Sequence, residues 1–296
     1  MRKIYTLLAI LLAMAPVANA QELDSEQLDL LAKLNSRLKY ETGTIVVGRN
    51  LATLSLPPTL RFLGPDSTKF VVEELWGNPP GGTYLGMIAP SDKEPFDEDF
   101  ISAIITYEES GHISDDDASS IDYDELLATM KSGEQAENAE RAKLGYESVR
   151  IVGWAQKPRY DGAGNKLYWA KELEFGGEPE HTLNYSIRAL GRVGVLELNF
   201  VGTMNQLAEI DKMSPEVLKA VAFNPGNRYA DFDPSTDKVA GYGIAALVAG
   251  GVAAKAGLFK GIWLAILAFK KLIIVGVIGA GALIAKLLGG GKSTAK

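Results

Sequence analysis

Apolar positions along this chain fall into three regimes. Ile4 to Met14 is an almost unbroken apolar run behind Arg2 and Lys3. From there to Asp237, apolar residues alternate or recur at helical spacing among charged ones. After Asp237 the unbroken character returns: Val239–Leu288 is built from Ala, Gly, Leu, Ile and Val, interrupted by Lys255, Lys260, Lys270, Lys271 and Lys286.

The middle regime predicts the folded elements. Glu22–Lys39 carries Leu23, Leu28, Leu30, Leu31 and Leu34 on one side of a helix. Thr44–Val47 and Ala52–Leu56 read as a hairpin turning at Gly48–Asn50, ended by Pro57 and Pro58, and Thr59–Leu63 as a short extended piece. A helix starts at Pro65-Asp66-Ser67 and closes at Gly77-Asn78-Pro79-Pro80. Thr83–Ile88 and Phe100–Tyr107 read as strands and Tyr123–Lys143 as a helix with a charged solvent face. Tyr146–Ala155, Lys166–Glu174, Thr182–Leu190 and Gly194–Val201 are strands with short, turn-rich links, which imply antiparallel pairing. Gln206–Phe223 is a helix broken at Ser214-Pro215, and Asn224–Ser235 a Pro/Asn/Asp-rich linker. The fold expected is α+β: an antiparallel β-sheet of seven or more strands with helices packed on one face, with room for a split near residue 110, followed by a C-terminal helical membrane segment.

The two apolar ends set the expected organisation. Small residues at Ala18 and Ala20 follow the first run and match a signal-peptidase site, so cleavage falls between Ala20 and Gln21. Residues 1–20 are then a signal peptide, 21–237 an exported domain, and 238–296 a membrane anchor with a short basic tail. A span takes about 20 apolar residues. Tyr242–Phe259 nearly supplies one. Ile262–Ala285 supplies another but holds Lys270 and Lys271, and a central lysine costs about 2.5–3.5 kcal/mol on insertion scales. Either two short passes or one crossing with an interfacial helix accommodates them. Gly and Ala at 241–257 give a small-residue surface through which such helices associate, so homo-oligomerisation through this segment is an expectation.

Charge narrows the partners. The chain has 30 Lys+Arg and 37 Asp+Glu. Arg2, Lys3 and the eight lysines from Lys238 onward lie outside residues 21–237, which therefore carry about −17. That acidity opposes nucleic-acid binding. With no cysteine, thiol nucleophiles, iron–sulfur clusters and Cys-ligated zinc are excluded.

Three constellations carry candidate chemistry. Asp115, Asp116 and Asp117 open an acidic stretch running to Glu125 that can hold a cation through carboxylate oxygens. EF-hand spacing fails there, and capping by Ser114 or Ser120 with acids in a first helical turn is the alternative. Trp154, Tyr160, Tyr168 and Trp169 lie along one hairpin, where they either line a ligand groove or pack as cross-strand pairs. His112 and His181 read as surface or strand-end residues. No Gly-x-Ser-x-Gly elbow and no phosphate-binding GxxxxGK[ST] occurs in residues 21–237, and nothing in the sequence calls for a cofactor.

Several blocks resemble those of a bacterial family: Trp76-Gly77-Asn78-Pro79-Pro80, Ser114–Ala118, Gly153-Trp154-Ala155, Lys166–Leu173, Leu183-Asn184-Tyr185, Leu190-Gly191-Arg192 and Gly241–Ala245. The family is the membrane-anchored proteins designated domain of unknown function 2167. The resemblance covers about residues 25–288. It implies a Gram-negative envelope protein with a periplasmic domain and a C-terminal membrane anchor, and brings no activity or site residues with it; the anchor is expected in the inner membrane. The function expected is a non-enzymatic module binding an envelope protein or other envelope component. Two alternatives stand beside it. One is a carboxylate-dependent hydrolase of envelope polymers using Asp115–Asp117 or Glu172 and Glu174. The other is an accessory subunit of a membrane transport or pore assembly.

Overall fold

The computed structural model describes residues 34–250, apart from 79, 98 and 144. The expected signal peptide, most of the Glu22–Lys39 helix and the stretch from residue 251 onward lie outside the described residues. Among the described residues, no helix is long and apolar enough to cross a membrane.

Two antiparallel sheets organise the domain. Strands β1 (Tyr40–Glu41), β4 (Leu60–Leu63), β5 (Gly86–Pro90), β6 (Ala103–Glu108), β7 (Val149–Asp161), β8 (Lys166–Phe175), β9 (Thr182–Leu190) and β10 (Val195–Thr203) form the larger. Its order is β1-β4-β5-β6-β10-β9-β8-β7. The predicted hairpin, β2 (Thr44–Val47) and β3 (Ala52–Ser55), belongs instead to a separate sheet, closed by β11 (Val221–Phe223) in the order β11-β3-β2. The helices are α1 (Pro65–Lys69, continued by a wider turn over Phe70–Leu75), α2 (Tyr123–Lys143), α3 (Leu207–Ala220) and α4 (Ile244–Ala249).

The period-2 pattern sorts the large sheet's side chains. Leu183, Tyr185, Ile187 and Ala189 of β9, with Leu196, Leu198 and Phe200 of β10, face the main core. The small sheet (Ile45, Val47, Leu54, Val221) and α3 (Ile210, Val217) pack there too. The intervening residues face the other way. On that side Leu167, Trp169, Leu190 and Val195 pack with Ile113, Ala240, Ile244, Leu247 and Val248. Val149, Ile151, Leu173 and Phe175 meet Leu127 and Met130 of α2. Helices therefore cover both faces, not the single face expected, because the hairpin and α3 roof one side while α2 and α4 take the other. The described residues from Leu38 to Gly250 lie in one compact unit, with no division near residue 110.

Three sequence expectations change here. Pro215 does not break its helix, since α3 runs through it. Proline removes the N–H that would reach the Asp211 carbonyl, and Ser214 Oγ lies 3.4 Å from that oxygen and donates to it instead. The 224–235 stretch is not a free linker. Asn224 receives a bond from the Thr53 hydroxyl (2.7 Å) and donates to Asn50 Oδ1 (2.9 Å). Nor does the domain stop at Asp237. His112 N–H donates to Lys238 O and Ala240 N–H to His112 O, both at 2.8 Å, stitching this stretch beside residues 111–113. Gly111 permits the approach: at φ +97°, its Cβ would stand 2.8 Å from Lys238 O. The described part of the expected Tyr242–Phe259 span thus packs on the sheet, with Ile244, Leu247 and Val248 buried.

Candidate functional site

Each aspartate of the acidic stretch bonds in its own direction. Asp115 Oδ2 accepts from the Tyr160 hydroxyl (2.7 Å) and Oδ1 from the Tyr229 hydroxyl (3.1 Å). Asp116 accepts from the Ser114 hydroxyl (2.7 Å). Asp117 accepts from the backbone N–H groups of Ile244 (3.0 Å) and Ala245 (3.1 Å), capping α4 from across the fold. Asp122 accepts from the N–H groups of Asp124 and Glu125 and so caps α2. Capping holds, but Asp117 and Asp122 do it, not Ser114 or Ser120. A carboxylate accepts two N–H bonds where a hydroxyl accepts one less strongly, and both suit a helix N-terminus. Those two N–H bonds, before any other cause, lower the Asp122 carboxyl below the usual range.

The four aromatics do not share one surface. Trp154, Tyr160 and Trp169 pack together under residues 113–126 and α4. Trp154 Nε1 donates to Tyr123 O at 3.0 Å. Burial is the first cause that raises the Tyr160 hydroxyl to about 12. Tyr168, one residue from Trp169, points to the opposite face and packs on the main core. Strand parity makes this unavoidable, so a groove lined by all four is replaced by packing on two faces.

Sequence reading missed the most chemically unusual region, a buried polar stripe across the same side of the large sheet. Lys171, Asn184, Ser186, Arg188 and Glu197 are all buried. Lys171 sits opposite Asn184 between β8 and β9, and Arg188 opposite Glu197 between β9 and β10. Arg188 Nε lies 3.1 Å from Glu197 Oε1, and Arg188 Nη1 donates to Asn199 Oδ1 at 3.1 Å. The Arg188 guanidinium also stands 5.2 Å from the Trp169 ring centroid, a cation–π distance. Burial, reinforced by Arg188 and opposed by Glu137, lowers the Lys171 ammonium to about 8. Glu108 is raised, first by burial and then by Glu197, and accepts from the Tyr242 hydroxyl at 3.1 Å. Lys171, Trp169 and Asn184 fall inside the blocks that carry the family resemblance.

Helix α2 guards the open edge of this region. β7 ends the sheet, and α2 caps its outer backbone groups with side chains. Asn138 Nδ2 donates to Val149 O while Oδ1 accepts from Val149 N–H, both at 2.8 Å. Ile151 N–H donates to Glu134 Oε1 (2.7 Å), and Lys131 Nζ donates to Val152 O (2.7 Å). A bare edge strand invites pairing with another chain, and these side chains replace the missing strand.

The two histidines are placed differently. His112 is stacked between Tyr229 and Phe232, ring centroids 4.3 and 3.9 Å away, and its Nδ1 donates to Arg192 O at 3.1 Å. His181 Nδ1 donates to Glu172 Oε1 at 2.5 Å, and its Nε2 lies 3.7 Å from Glu174 Oε2. Arg150 also bonds Glu174, so both carboxylates proposed for a hydrolase already have cationic or imidazole partners. A surface cleft of about 390 Å³ lies elsewhere, lined by Gly43, Thr44, Ser55, Pro57, Glu216 and Lys219.

A family model described as a protein of unknown function, DUF2167, matches residues 39–281. No curated relative matches the sequence. Among solved structures, the chain is similar to cyanobacterial PsbP from Synechocystis sp. PCC 6803, at 9% identity and TM-score 0.33, covering 71% of this chain and all of that one. It is similar to the Ran-binding protein Mog1p of Saccharomyces cerevisiae, at 8% identity and TM-score 0.31, covering 66% and 100%. LpqN of Mycobacterium tuberculosis, described as involved in cell envelope biogenesis, matches at 11% identity and TM-score 0.31, covering 66% and 96%.

Proposed function

The chain belongs to the DUF2167 family, and from that premise we propose that it is a non-enzymatic binding module of the bacterial envelope. In this reading the domain lies in the periplasm and the segment after Gly250 holds it to the inner membrane. The observation that carries the binding reading is how the reactive side chains are employed. Asp115 and Asp117 hold Tyr160, Tyr229 and α4, and Glu172 and Glu174 are engaged by His181 and Arg150. The surface cleft of about 390 Å³ is lined by a single carboxylate, Glu216, whereas glycoside hydrolysis takes two carboxyls roughly 5–10 Å apart in a cleft.

The anchoring reading is supported by the acid-free apolar run after Asp237 and by the way the chain is delivered to it. Asp117 caps α4, residues 238–240 pair with 111–113, and Arg192 grips Asp237. In this reading, these contacts tie residues 238–250, the lead-in to the anchor, to the body of the domain.

Reporter fusions after Lys260 and at the C-terminus test the topology, with fractionation of the untagged chain alongside. Recovery with the inner membrane and a periplasmic signal from a fusion within the domain are expected. Recovery in the cytoplasmic fraction would defeat the reading. The catalytic alternative is tested by incubating purified protein with envelope polymers, where no turnover is expected and turnover lost in Glu172→Gln would favour the hydrolase.

A further inference from the structure

A strand at the edge of a sheet shows a row of backbone groups that another extended chain completes. The two sheets present four such edges. Side chains of α2 close β7, and Lys166 Nζ donates to Val221 O of β11 at 3.0 Å. β1 is only two residues long. The outer edge of β2 is left, since β2 ends its sheet and pairs with β3 alone. Which of its groups face outward follows from the pairing. Gly43 O accepts from Leu56 N–H at 2.9 Å and Val47 O from Leu51 N–H at 3.0 Å, both toward β3 and its turn. Alternation along the strand then turns the N–H and C=O groups of Thr44 and Val46 away from β3. Among the described residues, no strand, turn or side chain pairs with those outward groups.

The side chains along this edge are open as well. Val46 is 57% exposed, one of two large apolar side chains so placed among the described residues. It stands opposite Thr53, and Thr44 opposite Ser55, a face of β-branched and hydroxyl side chains that packs well across strands. At the start of β2 the surface cleft of about 390 Å³ takes in Gly43 and Thr44, with Glu216 and Lys219 of α3 also lining it. A Cβ at Gly43 would meet nothing within 4 Å, so the way past Thr44 is clear. A second copy of this chain does not fit as the occupant. Stable interfaces between copies bury about 1,200–2,000 Å², and two four-residue edges laid side by side cover far less. An extended peptide needs less, because backbone bonds give it affinity and alternate side chains its specificity.

We propose that the outer edge of β2 takes an extended segment of an envelope protein as an added strand. Thr44 and Val46 each give that segment one N–H and one C=O. An apolar, β-branched side chain of the segment lies beside Val46, and a polar one enters the cleft that Glu216 and Lys219 line. This proposal gives the binding reading its surface and its kind of partner, and rests on it.

Hydrogen exchange of the full chain in detergent, read at the Thr44 and Val46 amides, tests it. The probe is a capped hexapeptide of alternating valine and threonine at millimolar concentration, and the control is the same peptide N-methylated throughout. Both amides are expected to exchange fast in the chain alone and several-fold more slowly with the probe, but not with the control. Val46→Pro removes one outward N–H and no bond to β3, a change that an edge strand tolerates. It is expected to abolish the slowing at Thr44, with circular dichroism checked for a native fold. Should that variant unfold, Val46→Lys, which sets a charge on the edge, is expected to abolish it instead. No slowing by the probe overturns the proposal, as does equal slowing by the control or slowing that persists in the variant. Slow exchange at both amides before any peptide is added overturns it too, because the chain itself or a second copy then covers the edge. Crosslinked adducts in cells from other faces of the domain alone would remove this surface and leave the binding reading standing.

Discussion

Asp117 holds the N-terminus of a helix that begins at Ile244, 127 residues further along the chain. The same carboxylate also takes the N–H of Ala245, and Gly243 leaves room for it: a Cβ there would sit 2.9 Å from Asp117 Oδ1. Losing a side-chain cap costs about 1 kcal/mol. Asp117→Ala is therefore expected to lower the unfolding free energy by that much, read as a lower urea midpoint, and to speed proteolysis between residues 238 and 250. Asp116→Ala, whose carboxylate meets only Ser114, is the control and is expected to change neither.

The clasp between Arg192 and Asp237 predicts acid sensitivity. Arg192 Nε and Nη2 donate to the two carboxylate oxygens at 2.7 and 2.9 Å. That bond, and then the N–H of Asp233, lower the Asp237 carboxyl to about 2. A carboxyl held lower in the folded state stabilises it above the ordinary value near 3.8, and the contribution fades as pH falls through 2. NMR titration of Asp237 is expected to show a midpoint well below an ordinary aspartate, and Arg192→Gln to return it toward 3.8.

Lys171 predicts the opposite limb. Its folded value near 8 lies below the 10.5 of an exposed lysine, so unfolding takes up a proton between those values. Stability therefore rises with pH from about 8 upward, by on the order of 2–3 kcal/mol at most. Above pH 10 the slope reverses, because burial raises the Tyr160 and Tyr242 hydroxyls to about 12 and the folded state then holds the extra protons. Denaturation curves at pH 7, 8, 9 and 10 check this, and the rise is expected to vanish in Lys171→Met.

The edge cap of α2 is also testable. Asn138→Ala strands the N–H and C=O of Val149, at a cost of about 1–2 kcal/mol, and bares an edge for pairing with other chains. Lower stability together with earlier aggregation on heating is expected, while Glu140→Ala on the exposed face is expected to do neither.

How much of this was readable from sequence follows from what pattern encodes. The strands of β8, β9 and β10 were legible because Leu183, Tyr185, Ile187 and Ala189 alternate strictly with polar residues. Parity, however, says only which residues share a face. Asn184, Ser186 and Arg188 occupy the alternate positions, and nothing local reveals that this row is buried. The Asp117 cap and the pairing of residues 111–113 with 238–240 join positions more than 100 apart, beyond any local signal. Of the two readings of the aromatic quartet, packing fits, but on two faces, because Tyr168 and Trp169 are strand neighbours and neighbours in a strand point apart. Pro215 was read as a break because the Ser214 hydroxyl that covers for it is visible only in three dimensions.

The central claim, that the domain binds an envelope component and turns nothing over, meets its most direct test in living cells. A photo-crosslinking residue placed at successive exposed positions of the domain would report what it touches. One discrete adduct, formed from a contiguous group of positions and retained in Glu172→Gln, is the predicted result. No adduct from any position, or one that accumulates only when Glu172 is disabled as trapped substrate would, contradicts it.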